Sequence, residues 1–331
     1  MRNISKISNC YRLANTEQLD ETSIWYVMDE LGSGIQHSDI PNIAMAPFLF
    51  APNNKFDENM ISYSLIWPNQ DLITGQKLYR DYLFGIDETK FRSAKLACWF
   101  DIPYSIFIES YQNYHEKLKE ITAKGLIVLK EKNIEFASKK NLSQIQPLGI
   151  NPNKSRPLAV ITDMEILTNN LKHESFVFTK KLEEADIVFL NANVKENYWE
   201  FSKEKYMNQF PFEGCIVMKN NLAKTVNESL GYVDWLQHTY DLTTHLHEFI
   251  GEYKTNEDKH KTNIWIIKPP NMARSMDMVV TDNLDVILRL LETGPKLAQK
   301  YIHNPVTLRS KKIDLRFIVL LRSVMFFRKY H

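Results

Sequence analysis

A polar, turn-rich segment between Lys130 and Pro157 divides this chain of 331 residues into two parts with different strand patterns. It contains Lys139-Lys140-Asn141 and the run NPNKSRP at 151–157, a composition that resists packing and starts turns. A chain of this length is typical of two or three domains. We therefore place a domain boundary in this segment.

The part before the boundary has short apolar runs separated by glycine and by Pro-Asn, which predicts a small β-rich domain. In the part after it, strands alternate with helices, as is typical of an α/β domain. The predicted strands are 24–27, 46–50 and 62–67, then 158–162, 185–190, 264–268 and 313–321. Helical spacing predicts a helix over 105–119 and another over 283–291, capped by Asp282 and stopped at Gly294-Pro295. The predicted divisions are a β-rich domain at 1–104, a helix and polar linker at 105–156, and an α/β domain at 157–331.

The composition excludes several classes of protein. Hydrophobic residues make up 44% and charged residues 24%, as in folded globular chains. No run approaches the roughly 18 apolar residues of a membrane span, and the first residues lack the apolar core of a secretory signal, so we expect an intracellular protein of the cytoplasm or nucleus. The three cysteines are far apart, which argues against a disulfide framework and a thiolate zinc site. No metal site is predicted, and His238, His245 and His247 are expected on the solvated surface.

Two groups of charged residues could carry chemistry. Lys268 ends a predicted strand before Pro269-Pro270, a sharp exit that would direct its ammonium over the sheet toward a phosphate. Lys312, Asp314 and Arg316 alternate at period two, so one carboxylate and two cations are expected on one face of the last strand. The same spacing is typical of a solvated edge strand, and this interpretation stays open.

The carboxy-terminal segment is strongly basic. From 296 to 331, nine lysine and arginine residues accompany one acidic residue, Asp314, which gives a local charge of +8, whereas the whole chain has +1. The basic residues are Lys296, Lys300, Arg309, Lys311, Lys312, Arg316, Arg322, Arg328 and Lys329. Such a segment favours an anion, either a nucleotide phosphate or an acidic protein tail. Nucleic acid is a rival anion that the patch alone does not exclude, although the balanced overall charge gives no general case for it.

Motifs in the second part resemble those of the tubulin tyrosine ligase-like family, which has an ATP-grasp fold. WIIKPPNMARSMD at 265–277, QKYIHNPV at 299–306 and KKIDLRFIVLLRS at 311–323 are similar in order and spacing to the nucleotide-site motifs of that family. The segments 208–224 and 239–246 also look like the family. The resemblance covers 158–331.

This resemblance implies specific roles. Lys268 would contact the α and β phosphates of ATP, and Arg274 would supply a charged donor in the loop that follows. The residues implied to line the adenine slot are Gln299, Lys300, Tyr301 and Ile302, and those implied to face the terminal phosphate and the acceptor are Lys312, Asp314 and Arg316. The implied chemistry is ATP-driven activation of a carboxylate through an acyl phosphate, followed by amine attack, with Mg²⁺ bridging the phosphates.

Two motifs in the first part resemble the SET methyltransferase fold, and a SET-like domain precedes the ligase-like domain in one member of the same family. QHSDIPN at 36–42 is similar to NHSCxPN, and GQKLYRDY at 75–82 is similar to GEELTxDY. Tyr82 would take the catalytic tyrosine position and His37-Ser38 the cofactor-contact position. Gln36 and Asp39 replace the Asn and Cys of the first motif, and there is no room upstream for the usual methyl-donor segment. We therefore expect a SET-like fold with little methyl transfer.

Two features depart from the pattern of active ligases. The loop after Lys268 contains no glycine before Asp277, although a glycine-rich loop lets backbone N–H groups close over phosphates. The Mg²⁺ ligands of the family, an Asp and a Glu-x-Asn pair, belong to a later segment that this sequence does not contain. We therefore expect a family member that is truncated at both ends.

The sequence leaves three functions open. The first is a pseudo-ligase that binds ATP weakly and recognises acidic tubulin tails or histone tails, with no membrane or nucleic-acid partner. The second is an active ATP-dependent amino-acid ligase on tubulin, which requires a longer native chain that supplies the Mg²⁺ ligands. The third is a SET-type protein lysine methyltransferase.

Overall fold

The computed structural model describes residues 7–12, 23–52, 59–86, 89–138, 156–192, 205–210, 212–270 and 277–317. Its first elements are β1 (Ser8–Arg12), β2 (Ser23–Val27), α1 (Glu30–Gly34), β3 (Gln36–His37), β4 (Ile43–Phe50), β5 (Ile61–Pro68), β6 (Tyr79–Arg80), α2 (Thr89–Leu96) and α3 (Ser105–Ser138). β1 pairs with β2 and β4 with β5 in antiparallel fashion, whereas β3 and β6 are parallel. The three strands predicted for this part are therefore confirmed as β2, β4 and β5.

The predicted helix over 105–119 is confirmed, and it continues to Ser138 as α3. The continuation is rich in lysine, glutamate and leucine, which favour helix even where the sequence is polar. The rest of the polar segment, 139–155, lies outside the described residues, so the domain boundary stays a prediction.

The second part has two four-stranded sheets among the described residues. Its elements are β7 (Leu158–Thr162), α4 (Glu165–Asn170), β8 (Phe176–Phe178), β9 (Ile187–Phe189), β10 (Tyr206–Met207), α5 (Gly214–Val217), α6 (Lys219–Ser229), β11 (Thr239–Asp241), α7 (Leu246–Asp258), β12 (Trp265–Lys268), β13 (Val279–Thr281), α8 (Leu284–Leu290), a 3-10 turn (Leu291–Thr293), β14 (Leu297–Lys300), β15 (Thr307–Leu308) and β16 (Lys311–Lys312). One sheet is parallel, in the order β10-β9-β7-β8, and the other is antiparallel, in the order β11-β14-β12-β13. The prediction of a mixed α/β part is confirmed.

Two local predictions are wrong. Asn283, not Asp282, caps α8, because its side-chain oxygen accepts the N–H of Val286 at 3.2 Å. Residues 313–317 do not form the predicted strand, and 318–321 lie outside the described residues. β16 ends at Lys312 because its ladder with β15 is only two residues long, and apolar alternation without a neighbouring strand does not make a sheet.

The largest core lies between the antiparallel sheet and the helices α2, α3, α7 and α8. Trp265 and Ile267 of β12 are fully buried against Phe249 and Ile250 of α7. α3 crosses α7 so closely that a Cβ added to Gly251 would lie 2.0 Å from the carbonyl oxygen of Phe107. α2 and α3, which precede the polar segment, thus help to hold the sheet in place. No helix in the described ranges is both long and apolar enough to cross a membrane.

Candidate functional site

The antiparallel sheet presents different residues on its two faces. Tyr240, Trp265, Ile267 and Ala298 belong to the core described above. Because side chains alternate along a strand, Thr239, Lys268 and Gln299 lie on the opposite face. Thr239 is directly opposite Gln299 in the ladder, and Lys268 is opposite Leu297, one diagonal step from Gln299.

The structure brings together Lys268 and Gln299, two of the predicted nucleotide-site residues. The Nζ of Lys268 donates a hydrogen bond to Oε1 of Gln299 at 2.6 Å. Burial lowers the pKa of the half-buried Lys268 ammonium, and the nearby positive charge of Lys219, the first residue of α6, lowers it further. A second positive charge near a half-buried ammonium favours an anion at the same place, because the anion offsets both charges. The residues present therefore fit the phosphates of a nucleotide.

The other residues predicted for the adenine slot take different positions. Lys300 points to the face opposite Gln299, where its Nζ donates to the carbonyl of Thr262 at 2.8 Å and lies 4.5 Å from the centre of the Trp265 ring. Tyr301 follows the strand, and Ile302 is exposed. Their roles toward adenine stay predictions.

The β15–β16 hairpin carries the first of the residues predicted to act at the acceptor. Lys312 Nζ lies 5.1 Å from the centre of the Tyr301 ring, so the hairpin and the end of β14 are in contact. Asp314 and Arg316 follow β16 and, like Lys312, are exposed to solvent. Arg309 and Ser310 both have positive φ, as in a two-residue hairpin turn, which places Arg309 at the tip. Because Asp314 and Arg316 are not part of a strand, they do not share one strand face with Lys312 as predicted. The catalytic roles of the three residues stay predictions.

The basic patch is smaller than its sequence suggests. Lys296 is only 2% exposed and its Nζ donates to the carboxylate of Asp277 at 2.6 Å, so it is no part of a free patch. The local charge of +8 applies to residues 296–331, and Asp277 lies before this segment. The neutralisation of Lys296 by Asp277 is therefore not included in that charge. Four exposed cations remain in the described part of the segment. They are Arg309, Lys311, Lys312 and Arg316.

Neither the loop nor a metal site can be assigned. Arg274 and its neighbours at 271–276 lie outside the described residues. Within the described ranges, no group of three or more histidine, cysteine, aspartate or glutamate side chains could hold a metal ion.

The SET-like motif of the first part is held by internal hydrogen bonds. Nδ1 of His37 accepts the backbone N–H of Tyr82 at 3.2 Å, and the hydroxyl of Tyr82 donates to the carbonyl of Ile35 at 3.0 Å. Ser38 bonds the backbone of Ile40 within the same loop. The side chains at the predicted cofactor-contact and catalytic positions thus serve the loop itself.

Asp39, Asp81 and Arg92 form what we call the carboxylate cluster. The guanidinium of Arg92 donates to both oxygens of Asp81, each at 3.0 Å, and to Asp39 at 2.5 Å. The hydrogen bond from Arg92 lowers the pKa of Asp39, and the bonds to the two aspartates raise the pKa of Arg92. Asp39 occupies the position at which the SET motif has cysteine. The charge of this replacement residue is paired with Arg92.

The expectation that three histidines lie on the solvated surface is wrong. The side chain of His238 is 15% exposed, and its Nδ1 lies 2.8 Å from Oε2 of Glu252. His245 and His247 are half-buried and pack against aromatic rings of α3. The cause is the long helix α3, whose packing over this region could not be read from local spacing.

Sequence reasoning missed Lys219, Thr239 and Arg92. The first two lie in the segments 208–224 and 239–246, whose likeness to the family was the available signal. Arg92 had no signal, since its partners are 11 and 53 residues away.

The motif loop around His37 and Tyr82 in the first part, and Lys268 beside Gln299 on the antiparallel sheet of the second part, are the features expected of a ligase-type protein with an appended SET-like domain. The family model described as the tubulin-tyrosine ligase family matches residues 193–331, and the one described as the tubulin tyrosine ligase SET-like domain matches residues 1–103. The chain belongs to the tubulin-tyrosine ligase family. Both predicted resemblances are confirmed.

Individual relatives agree with this assignment. Tubulin--tyrosine ligase-like protein 12 of Mus musculus is 35% identical over 96% of this chain and 48% of the relative's length, and that of Homo sapiens is 33% identical over the same shares. Tubulin glycylase 3C of Tetrahymena thermophila is 31% identical over 24% of this chain and 8% of its own length. This chain thus spans about half the length of the first two relatives.

Proposed function

We propose that this chain is a pseudo-ligase that binds nucleotide weakly through Lys268 and Gln299 and recognises acidic tubulin tails in the cytoplasm, so that it modulates tubulin modification. The observation that carries the proposal is the contact between Lys312 and Tyr301. It places an exposed basic hairpin beside the strand that also holds Gln299. One surface can then receive two anions, a nucleotide on the sheet and an acidic peptide on the hairpin.

The hairpin suits an extended acidic peptide. Arg309, Lys311, Lys312 and Arg316 are exposed, and Asp314 is the one acidic residue among them. Exposed cations attract a flexible anionic tail through long-range steering and charge-assisted hydrogen bonds. Relatives named for modifying tubulin make tubulin the first partner to test.

Charge reversal on the hairpin tests the partner. We expect Lys312→Glu with Arg316→Glu to reduce co-sedimentation with microtubules by about tenfold at physiological salt, because two attractions become repulsions. The matched control is Lys172→Glu with Lys180→Glu, two exposed lysines on the parallel-sheet side of the domain, which should leave sedimentation unchanged. Unchanged sedimentation of the hairpin variant would reject tubulin-tail recognition by this surface. Histone-tail peptides and duplex DNA in parallel assays decide whether either is the preferred partner.

Weak or absent ligase activity follows from the loop after Lys268, whose sequence lacks the glycines that let backbone groups approach phosphates. The family is an ATP-grasp-like ligase family that uses ATP and Mg²⁺. The test is ADP release by the full-length native protein with Mg²⁺, an amino acid and tubulin. Release that requires both the amino acid and the tubulin tail supports the alternative of an active ligase. No release supports the pseudo-ligase.

The SET-type methyltransferase stays the weaker alternative, because the side chains it would use are engaged within the domain. Tyr82 donates its hydroxyl to a carbonyl, and Asp39 is paired with Arg92. This alternative predicts S-adenosylmethionine binding that Tyr82→Phe and His37→Ala abolish. Calorimetry that detects no binding of this cofactor removes it.

A further inference from the structure

Gln299 lies between two hydrogen-bond partners that fix which way its amide faces. Its Oε1 accepts from Nζ of Lys268 at 2.6 Å, and its Nε2 donates to Oγ1 of Thr239 at 2.7 Å. A lysine ammonium can only donate, so the amide oxygen must face Lys268 and the amide nitrogen must face Thr239. The reverse orientation would set two donors against each other.

Thr239 is itself held in one role. Its hydroxyl donates to the carbonyl of Gln237 at 2.8 Å, which leaves the oxygen to accept from Gln299. The residue is 5% exposed, so water does not compete freely for the hydroxyl. Donation therefore runs in one direction, from Lys268 to Gln299 to Thr239 to the backbone.

We propose that Thr239 is a positioning residue for the nucleotide site, which fixes the Gln299 amide and through it the Lys268 ammonium. This inference rests on the proposed nucleotide binding and adds a residue that acts through the Gln299 amide. Lys268 needs such a tether because burial and Lys219 both disfavour its charge. A hydrogen bond to a fixed carbonyl oxygen holds the ammonium charged and in place.

Thr239→Val tests this directly, because valine keeps the shape and the strand preference but removes the hydroxyl. We expect ATP affinity, measured by calorimetric titration, to fall about fivefold, the effect of one hydrogen bond. Thr239→Ser retains the hydroxyl and should bind like the wild type. A valine variant that binds ATP like the wild type would overturn the proposal.

A second measurement needs no nucleotide. Acylation of Lys268 by an amine-directed reagent, followed by mass spectrometry, reports how much of the amine is uncharged and accessible. We expect faster labelling in Thr239→Val and the wild-type rate in Thr239→Ser. Equal labelling rates in all three proteins reject the role of Thr239. This outcome does not depend on nucleotide binding, so it is informative even if the wild type binds no ATP.

If Thr239→Val does not fold, Gln299→Met removes the middle of the same chain of hydrogen bonds and should also speed labelling of Lys268. Where both fold, the double variant should label no faster than Gln299→Met alone, because the hydroxyl acts only through the amide. Additive effects of the two changes would contradict the proposal.

Discussion

The carboxylate cluster of the first part and the lysine pair of the second part, Lys268 and Lys219, place their charges in opposite surroundings. In the first, Arg92 lies between Asp39 and Asp81, and hydrogen bonds raise its pKa. In the second, Lys268 lies near Lys219, and burial together with that like charge lowers its pKa. One group of charges is paired with opposite charges inside the protein, whereas Lys268 donates to the neutral amide of Gln299 and lies near a like charge. The comparison separates a motif that stabilises the fold from one that fits a ligand.

The largest expected effect is the loss of Arg92. Arg92→Met leaves the mostly buried carboxylate of Asp81 without its cation, next to the largely exposed Asp39, and should lower the free energy of unfolding by about 3 kcal/mol. Urea denaturation measures this. Lys172→Met, which removes an exposed cation, is the control and should change stability little. A loss from Arg92→Met no larger than the control's would mean that the cluster does not stabilise the fold.

The next effect concerns Tyr82, whose hydroxyl donates to the carbonyl of Ile35. Tyr82→Phe keeps the ring and leaves the carbonyl without this donor, so unfolding should become easier by about 1 kcal/mol. Thermal denaturation checks this value. Unchanged stability would indicate that the fold does not need the Tyr82 hydroxyl. The hydroxyl would then be available for catalysis, as the methyltransferase alternative requires.

Replacement of Lys268 should change the free energy of unfolding in the opposite direction. Lys268→Met removes a half-buried charge near Lys219, and water can replace the lost donor at the partly exposed amide of Gln299, so the variant should equal the wild type in stability or exceed it by up to about 1 kcal/mol. Sites that bind ligands commonly lower stability in this way. Urea denaturation in phosphate-free buffer measures it. A clear loss of stability would show that Lys268 is a structural residue like Arg92.

Stability should depend on pH in opposite ways at the two sites. The pKa of Asp39 is lowered from 3.8, so its contribution is present above that pH and is lost as the pH falls through the folded-state pKa. The pKa of Lys268 is lowered from 10.5, so its penalty applies at neutral pH and is relieved as the pH rises through the folded-state pKa toward 10.5. The difference between wild type and Arg92→Met should therefore shrink in acid, and that between wild type and Lys268→Met should shrink in alkali. If the free energy of unfolding of all three proteins changes with pH in the same way, the assignments for Asp39 and Lys268 are both wrong.

The sequence predicted what depends on local patterns. Short apolar runs located β4, β5, β7 and β12, and the strand-end position of Lys268 predicted that its ammonium lies over the sheet. Motif likeness also named Gln299, and the structure places it in contact with Lys268 across the ladder, whereas the nucleotide-binding role of both stays a prediction.

Contacts between distant segments could not be predicted in this way. Asp277 neutralises Lys296 across 19 residues, and Arg92 reaches Asp39 across 53. The segment 313–317 shows the converse, since it has the alternation of a strand but pairs with no strand among the described residues. Such pairings are set by tertiary packing, which also buries His238 beside α7.

The central claim, that the lysine pair is an anion site and the carboxylate cluster is not, is tested most directly by thermal melting at increasing ATP concentration. Wild type should gain stability by mass action, about 2.7 kcal/mol at 100 times the dissociation constant. Arg92→Met should start lower and gain the same amount, whereas Lys268→Met should start no lower than the wild type and gain little. If Lys268→Met gains as much as the wild type, the nucleotide does not bind at Lys268 and the account is wrong.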